Sequence, residues 1–116
     1  MRRFFKRIRR PQIRLLWEPR GSAWITKRYL AVSLCEELDI NLVVDPFVTP
    51  PSLGPINYWR LHGPGSARHS YSLPQLQTLK TMLQNGVDET GTTTYSLFNN
   101  IPRVLDAKRF IMLLAE

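Results

Sequence analysis

Four short runs of apolar residues divide this chain, and each closes on a charged or hydrogen-bonding group. The first, residues 13–18, reads Ile-Arg-Leu-Leu-Trp-Glu and ends in Glu18-Pro19-Arg20. The second is Leu42-Val43-Val44, closed by Asp45. The third runs from Tyr58 to Leu61, carries Arg60 inside it, and is followed by His62-Gly63. The fourth, Thr92 to Phe98, is β-branched and aromatic and ends in Asn99-Asn100. Residues of these types fit a pleated, half-buried surface, and a continuous apolar run suits a strand covered on both faces, as in a parallel sheet.

Helix signals separate the runs. Ser22 stands where a cap belongs, ahead of a helix over 23–38 whose apolar face is Trp24, Ile25, Leu30, Leu34, Cys35 and Leu38. Ser72 and Gln75 have capping-box spacing, with Pro74 tolerated in the first turn, and Leu73, Leu76, Leu79 and Leu83 mark the helix that follows. Asn85-Gly86 is its expected end. A last helix is expected from about Leu105, with Leu105, Ile111, Met112 and Leu114 among its apolar positions. Residues 46–56, with Pro46, Pro50, Pro51, Gly54 and Pro55, read as a loop, as do Gly63 to Arg68. Strand, loop and usually helix, repeated in that order, predict an α/β fold with parallel strands and right-handed connections.

A parallel α/β fold gathers its strand ends on one rim, which is where such proteins bind ligands. Arg60 and His62 are two residues apart and share a face, while Trp59 and Leu61 face the covering helices. Glu18 lies opposite Trp17 in the same way. Glu18, Arg20, Asp45, Arg60, His62 and an asparagine are therefore candidates for one mouth. The arginines suit an anion, and His62 or a carboxylate suits proton transfer. Each candidate has a structural alternative. Arg60 either pairs with Glu18 or Asp45 or holds a ligand. His62 is either a satisfied strand-end histidine or an acid–base group. Asn99 and Asn100 either line the site or cap the turn into the last helix. Tyr71 either closes over the site or staples the next helix, and His69, in a Gly/Ser-rich loop, is expected in solvent.

Charge and composition narrow the classes. The net charge is +7, yet residues 1–10 carry Arg2, Arg3, Lys6, Arg7, Arg9 and Arg10 without an acid, leaving ten basic against nine acidic residues elsewhere. These first ten residues read as a short helix, with Phe4, Phe5 and Ile8 on one side and Pro11 ending it. It is either the solvated face of a packed helix, a membrane-surface helix or a basic arm for nucleic acid. No apolar run approaches the roughly 20 residues of a membrane span, and no secretory signal is visible. Cys35 is the single cysteine, expected as a buried thiol, so there is no internal disulfide and no cysteine cluster. A cytoplasmic location fits. His62 and His69 are the two histidines, without metal-ligand spacing. No phosphate-binding glycine loop and no Gly-x-Ser-x-Gly elbow occurs, and no cofactor is indicated.

Trp17-Glu18-Pro19-Arg20-Gly21, Trp24, Val44-Asp45-Pro46-Phe47, Tyr58-Trp59-Arg60-Leu61-His62-Gly63, Tyr71-Ser72, Phe98-Asn99-Asn100 and Asp106-Ala107-Lys108-Arg109-Phe110 occur in this order. This series resembles the carboxyl-terminal half of the YecE-like family, over about residues 4–114. The resemblance implies a partial (β/α) TIM-type barrel: four parallel strands with flanking helices, equivalent to strands five to eight. The whole chain, 1–116, is then one domain, with a basic helix at 1–10 and four strand-loop or strand-helix units over 13–116. The resemblance also implies that the basic start is a solvated helix face. It supplies no reaction.

A full barrel takes about 250 residues, and half of one leaves open strand edges and an uncovered apolar face. The expectation is therefore a truncated barrel that either self-associates or belongs with a missing amino-terminal half. Its expected function is to bind a small anionic or phosphorylated ligand at the strand-end rim. Arg20 and Arg60 would hold the anion, Asp45, Tyr71, Asn99 and Asn100 would complete the site, and Glu18 or His62 would move the proton. The alternatives are a nucleic-acid-associated module using residues 1–10 and an incomplete fragment without function of its own.

Overall fold

The structure is a computed structural model; it describes residues 2–9, 12–50, 56–90 and 92–116, with 86–90 described by backbone alone. The expected stop at Pro11, and Pro51, Gly54 and Pro55 of the proline-rich loop, lie outside the described residues. The fold is α/β, with helices flanking four strands whose described pairings are all parallel. The chain divides into two compact units, Met1–Val43 and Val44–Glu116. No helix among the described residues is long and apolar enough to cross a membrane.

The first unit holds α1 (Arg2–Arg7), β1 (Leu16–Trp17), α2 (Ser22–Thr26), α3 (Arg28–Leu38) and most of β2 (Asn41–Val44). β1 pairs with β2 in parallel, Leu16 beside Asn41 and Trp17 beside Leu42. β1 is shorter than the expected 13–18: Ile13 is exposed and Gln12 has a positive φ of 61°, so the chain turns just before the strand instead of extending. The helix expected over 23–38 is broken at Lys27, whose φ of −113° and ψ of 39° are not helical. Thr26 Oγ1 reaches back to the carbonyls of Ser22 and Ala23 at 3.4 and 3.1 Å. Ile25 and Thr26 are both β-branched and weaken a helix there. Ser22 is the first residue of α2 rather than its cap; Gly21, with φ of 100°, takes the cap position. The break also resets the buried face. Ala31, Cys35 and Leu38 are buried, whereas Ile25 and Leu30 are exposed, contrary to the sequence pattern.

The basic start forms α1, which ends at Arg7, short of the expected 1–10, and packs on α3. Arg2 Nε and Lys6 Nζ lie 3.0 and 3.6 Å from the Glu37 carboxylate, which these cations hold below the ordinary carboxylate range. Burial pushes the Cys35 thiol up to about 11, helped by Glu36.

The second unit holds Val44, β3 (Ile56–Leu61), α4 (Leu73–Thr90), β4 (Thr93–Phe98) and α5 (Arg103–Leu114). β3 and β4 run parallel in unbroken register from Ile56 beside Thr93 to Leu61 beside Phe98. Alternation along β3 puts Asn57, Trp59 and Leu61 on the buried face and Ile56, Tyr58 and Arg60 on the other. Trp59 and Leu61 meet Leu76 and Leu79 of α4 and Phe110 and Leu113 of α5 in one core, as the period-two pattern requires. Each such side chain contributes about 1.5–3 kcal/mol by leaving water. Lys80 Nζ donates to the Leu113 carbonyl at 2.9 Å, which ties α4 to the end of α5 and sets a cation at its negative pole.

The capping box forms as read: Gln75 N donates to Ser72 Oγ at 3.3 Å, and Ser72 N to Gln75 Oε1 at 2.8 Å. Leu73, however, is exposed. α4 also continues through Asn85-Gly86 to Thr90. A glycine inside a helix costs only about 1 kcal/mol and ends it only where the backbone turns left-handed. The face of α5 differs most from expectation. Asp106, Phe110 and Leu113 are buried, while Leu105, Ile111, Met112 and Leu114 are exposed. The helix is rotated so that the Asp106 carboxylate, rather than Leu105, points inward with Phe110 and Leu113.

Candidate functional site

That carboxylate joins the loops leaving β3 and β4 to α5. Asp106 has no exposed surface. Its Oδ2 accepts from Tyr71 N at 2.9 Å and Asn100 Nδ2 at 2.7 Å; its Oδ1 accepts from Ser70 Oγ at 2.9 Å and Arg109 at 3.2 Å. Burial pushes this carboxyl up, but the four bonds outweigh burial and hold it below the ordinary range. Asn100, equally buried, also donates to the His69 carbonyl at 2.9 Å, and Arg109 donates to the Tyr71 carbonyl at 2.7 Å.

A second set of bonds fixes the rim above β3. Asp45 accepts from Phe47 N and from His62 N, both at 3.0 Å, so its two oxygens clamp the turn after β2 to the residue after β3. Tyr71 is buried, and its hydroxyl accepts from Gly63 N at 2.9 Å. Its ring packs against Phe47, His69 and Phe98. Burial, then the Asp45 charge, push the Tyr71 hydroxyl up to about 12. Gly63 has φ of 95°, and a Cβ there would run into the Ser66 carbonyl, so only glycine fits this turn.

Asp45, His62, Tyr71, Asn99 and Asn100 are thus brought into one linked set at the carboxyl ends of β3 and β4. Within it, the Asp45 carboxylate and the Tyr71 hydroxyl turn to backbone and Asn100 Nδ2 to the His69 carbonyl and Asp106, while Asn100 Oδ1 is buried without a hydrogen-bond partner among the described residues. His62 and Asn99 face outward as neighbours, with Asn99 Nδ2 3.2 Å from His62 Nδ1. With the amide nitrogen toward the ring, His62 Nδ1 is the acceptor. Turning the Asn99 amide over puts its oxygen on Nδ1 and accommodates the imidazolium. Arg60 precedes them on the same face of β3. His69 is not in solvent, as the loop composition suggested. It is half-buried, with Nε2 2.8 Å from Gln75 Oε1 and its ring edge-on to Tyr71. Glu18 and Arg20 belong to the first unit and pair with each other at 3.4 Å.

Sequence reasoning passed over Asp106, Ser70 and Arg109 as site-building residues. The available signal was the one acid of α5, Asp106, three residues before Arg109, since a carboxylate needs a partner to be buried. Among the described residues, no group of three or more His, Cys, Asp or Glu stands together to hold a metal. The chain matches no protein-family model, no curated protein and no solved structure.

Proposed function

We propose that this chain is the carboxyl-terminal half of a YecE-like (β/α)-barrel, present in the cytoplasm, that binds a small anionic or phosphorylated ligand at the rim where β3 and β4 end. What carries the reading is the His62–Asn99 pair, held outward at adjoining strand ends by a backbone that Asp45 and Tyr71 lock from beneath. Parallel pairing with intervening helices supports the barrel part of the reading, and the ordered motifs from Trp17 to Phe110 support the family. At this rim Arg60 supplies positive charge, Asn99 an amide donor, and His62 a group able to give or take a proton. The basic start offers less to nucleic acid than its sequence suggests, because Glu37 already engages Arg2 and Lys6.

The test is calorimetric titration of the chain with inorganic phosphate and ribose 5-phosphate, repeated on His62→Ala. Binding weakened tenfold or more, with an unchanged urea midpoint, is the expected result. Unchanged affinity in His62→Ala, or no binding by the parent chain, refutes the rim as the site.

A further inference from the structure

The register of β3 and β4 arranges three cross-strand rungs on the face away from α4 and α5. Tyr58 lies beside Tyr95, Arg60 beside Leu97, and one step beyond the strands His62 touches Asn99. Successive rungs are two residues apart, or about 6.6 Å. The lowest rung is aromatic: the two rings lie 6.0 Å apart with planes inclined by 32°, and Tyr95 is 50% exposed. Leu97 beside it is also exposed. Read upward, a pair of tilted aromatic rings leads to a guanidinium and then to an imidazole–amide pair.

We propose that this ladder binds a nucleotide, its base stacked on Tyr95 and its phosphate about one rung higher, at Arg60, on the side of the His62–Asn99 pair. Aromatic side chains accept any base face, and arginine and imidazole N–H groups suit phosphate oxygens. A sugar separates base from phosphate by roughly 6.6 Å, about one rung, which matches the offset from Tyr95 to Arg60. A purely inorganic anion has no use for the tyrosine rung, and a purely apolar ligand has no use for the cations above it. The inference rests on the rim reading proposed above and concerns the face as this chain presents it.

The test compares AMP, ribose 5-phosphate and tetra-adenylate by equilibrium titration on the parent chain, Tyr95→Ala and Tyr95→Phe. AMP is expected to bind at least tenfold more tightly than ribose 5-phosphate. Tyr95→Ala should erase that difference, and Tyr95→Phe, which keeps the ring, should preserve it. Tetra-adenylate binding tighter than AMP, with a steep salt dependence, assigns the nucleotide to a single strand; equal affinity assigns it to a free mononucleotide. If ribose 5-phosphate binds as well as AMP, the nucleotide inference falls while the rim reading stands. If none of the three binds, both fall. A Tyr95→Phe variant that loses the preference for AMP also overturns the stacking.

Discussion

Replacing Asp106 separates the worth of its shape from the worth of its charge. Asp106→Ala removes the acceptor for four donors. Ser70 is exposed and Arg109 partly so, and both recover water. Tyr71 N does not, and Asn100 Nδ2 retains only the His69 carbonyl. An orphaned buried donor costs about 1–3 kcal/mol, and removing one partner of a buried ionic cluster about 3–5 kcal/mol. The expected loss is therefore about 3–5 kcal/mol, a large part of the roughly 5–15 kcal/mol that domains possess. Asp106→Asn keeps an oxygen where Oδ2 was and should cost only about 1–2 kcal/mol. The two variants also differ in acid. Because the folded carboxyl is held below its ordinary value, its stabilisation is present above the ordinary carboxylate range and is lost as pH falls through the depressed value. Asp106→Asn should lack that part of the acid dependence. Urea unfolding followed by near-ultraviolet circular dichroism, at pH 7 and stepwise to pH 3, measures both effects. Equal losses for the Ala and Asn variants, or a loss below about 1 kcal/mol for Ala, would refute the argument that orphaned donors govern the cost.

Three further outcomes follow from named contacts. Gly63→Ala should lower the melting temperature by several degrees, since the left-handed backbone costs an alanine about 1–2 kcal/mol before the collision with Ser66 is added; an unchanged melting temperature contradicts the turn geometry. Met112→Lys on the exposed side of α5 should change stability by no more than about 0.5 kcal/mol, whereas Leu113→Ala next to it should cost about 2–5 kcal/mol in urea unfolding; the reverse order would place the helix face where the sequence pattern had it. Cys35 in the folded chain should react with a thiol reagent at pH 8 far more slowly than in urea, because a thiol pushed up to about 11 is almost wholly protonated there. Stability should fall as pH rises from the ordinary thiol value through about 11, and equally fast labelling in both states would show the thiol to be accessible.

Local rules carried the strands further than the helices. Alternation along Tyr58 to Leu61 announced which side chains of β3 enter the core, because a strand has two faces and Trp59 and Leu61 fill one of them. The Ser72–Gln75 box was readable because both partners lie within four residues. The break at Lys27 was not: a threonine hydroxyl turning back on its own helix and two adjacent β-branched residues each compete with helix propensity only slightly. The rotation of α5 was beyond reach for another reason. Asp106 is buried by donors about 35 positions away, at Ser70 and Tyr71, and nothing in the order of residues along α5 announces them. Among the candidate site residues, His62 and Asn99 could be seen to fall at neighbouring strand ends. That Tyr71 and Asn100 turn inward could not be seen, since their partners come from separate segments.

The clamp formed by Asp45, Tyr71 and Asp106 also bears on how the ligand proposed for the rim would reach it. Gly63 is pinned by the Tyr71 hydroxyl, and the Tyr71 amide and the Ser70 hydroxyl are pinned by a carboxylate on α5. The segment from His62 to Tyr71 is therefore tied to the fold at both ends, and its far end is held by α5. For the ligand proposed at this rim, entry is expected to pass over a fixed edge, at a rate set by diffusion and by the field of the local cations rather than by the opening of a gate.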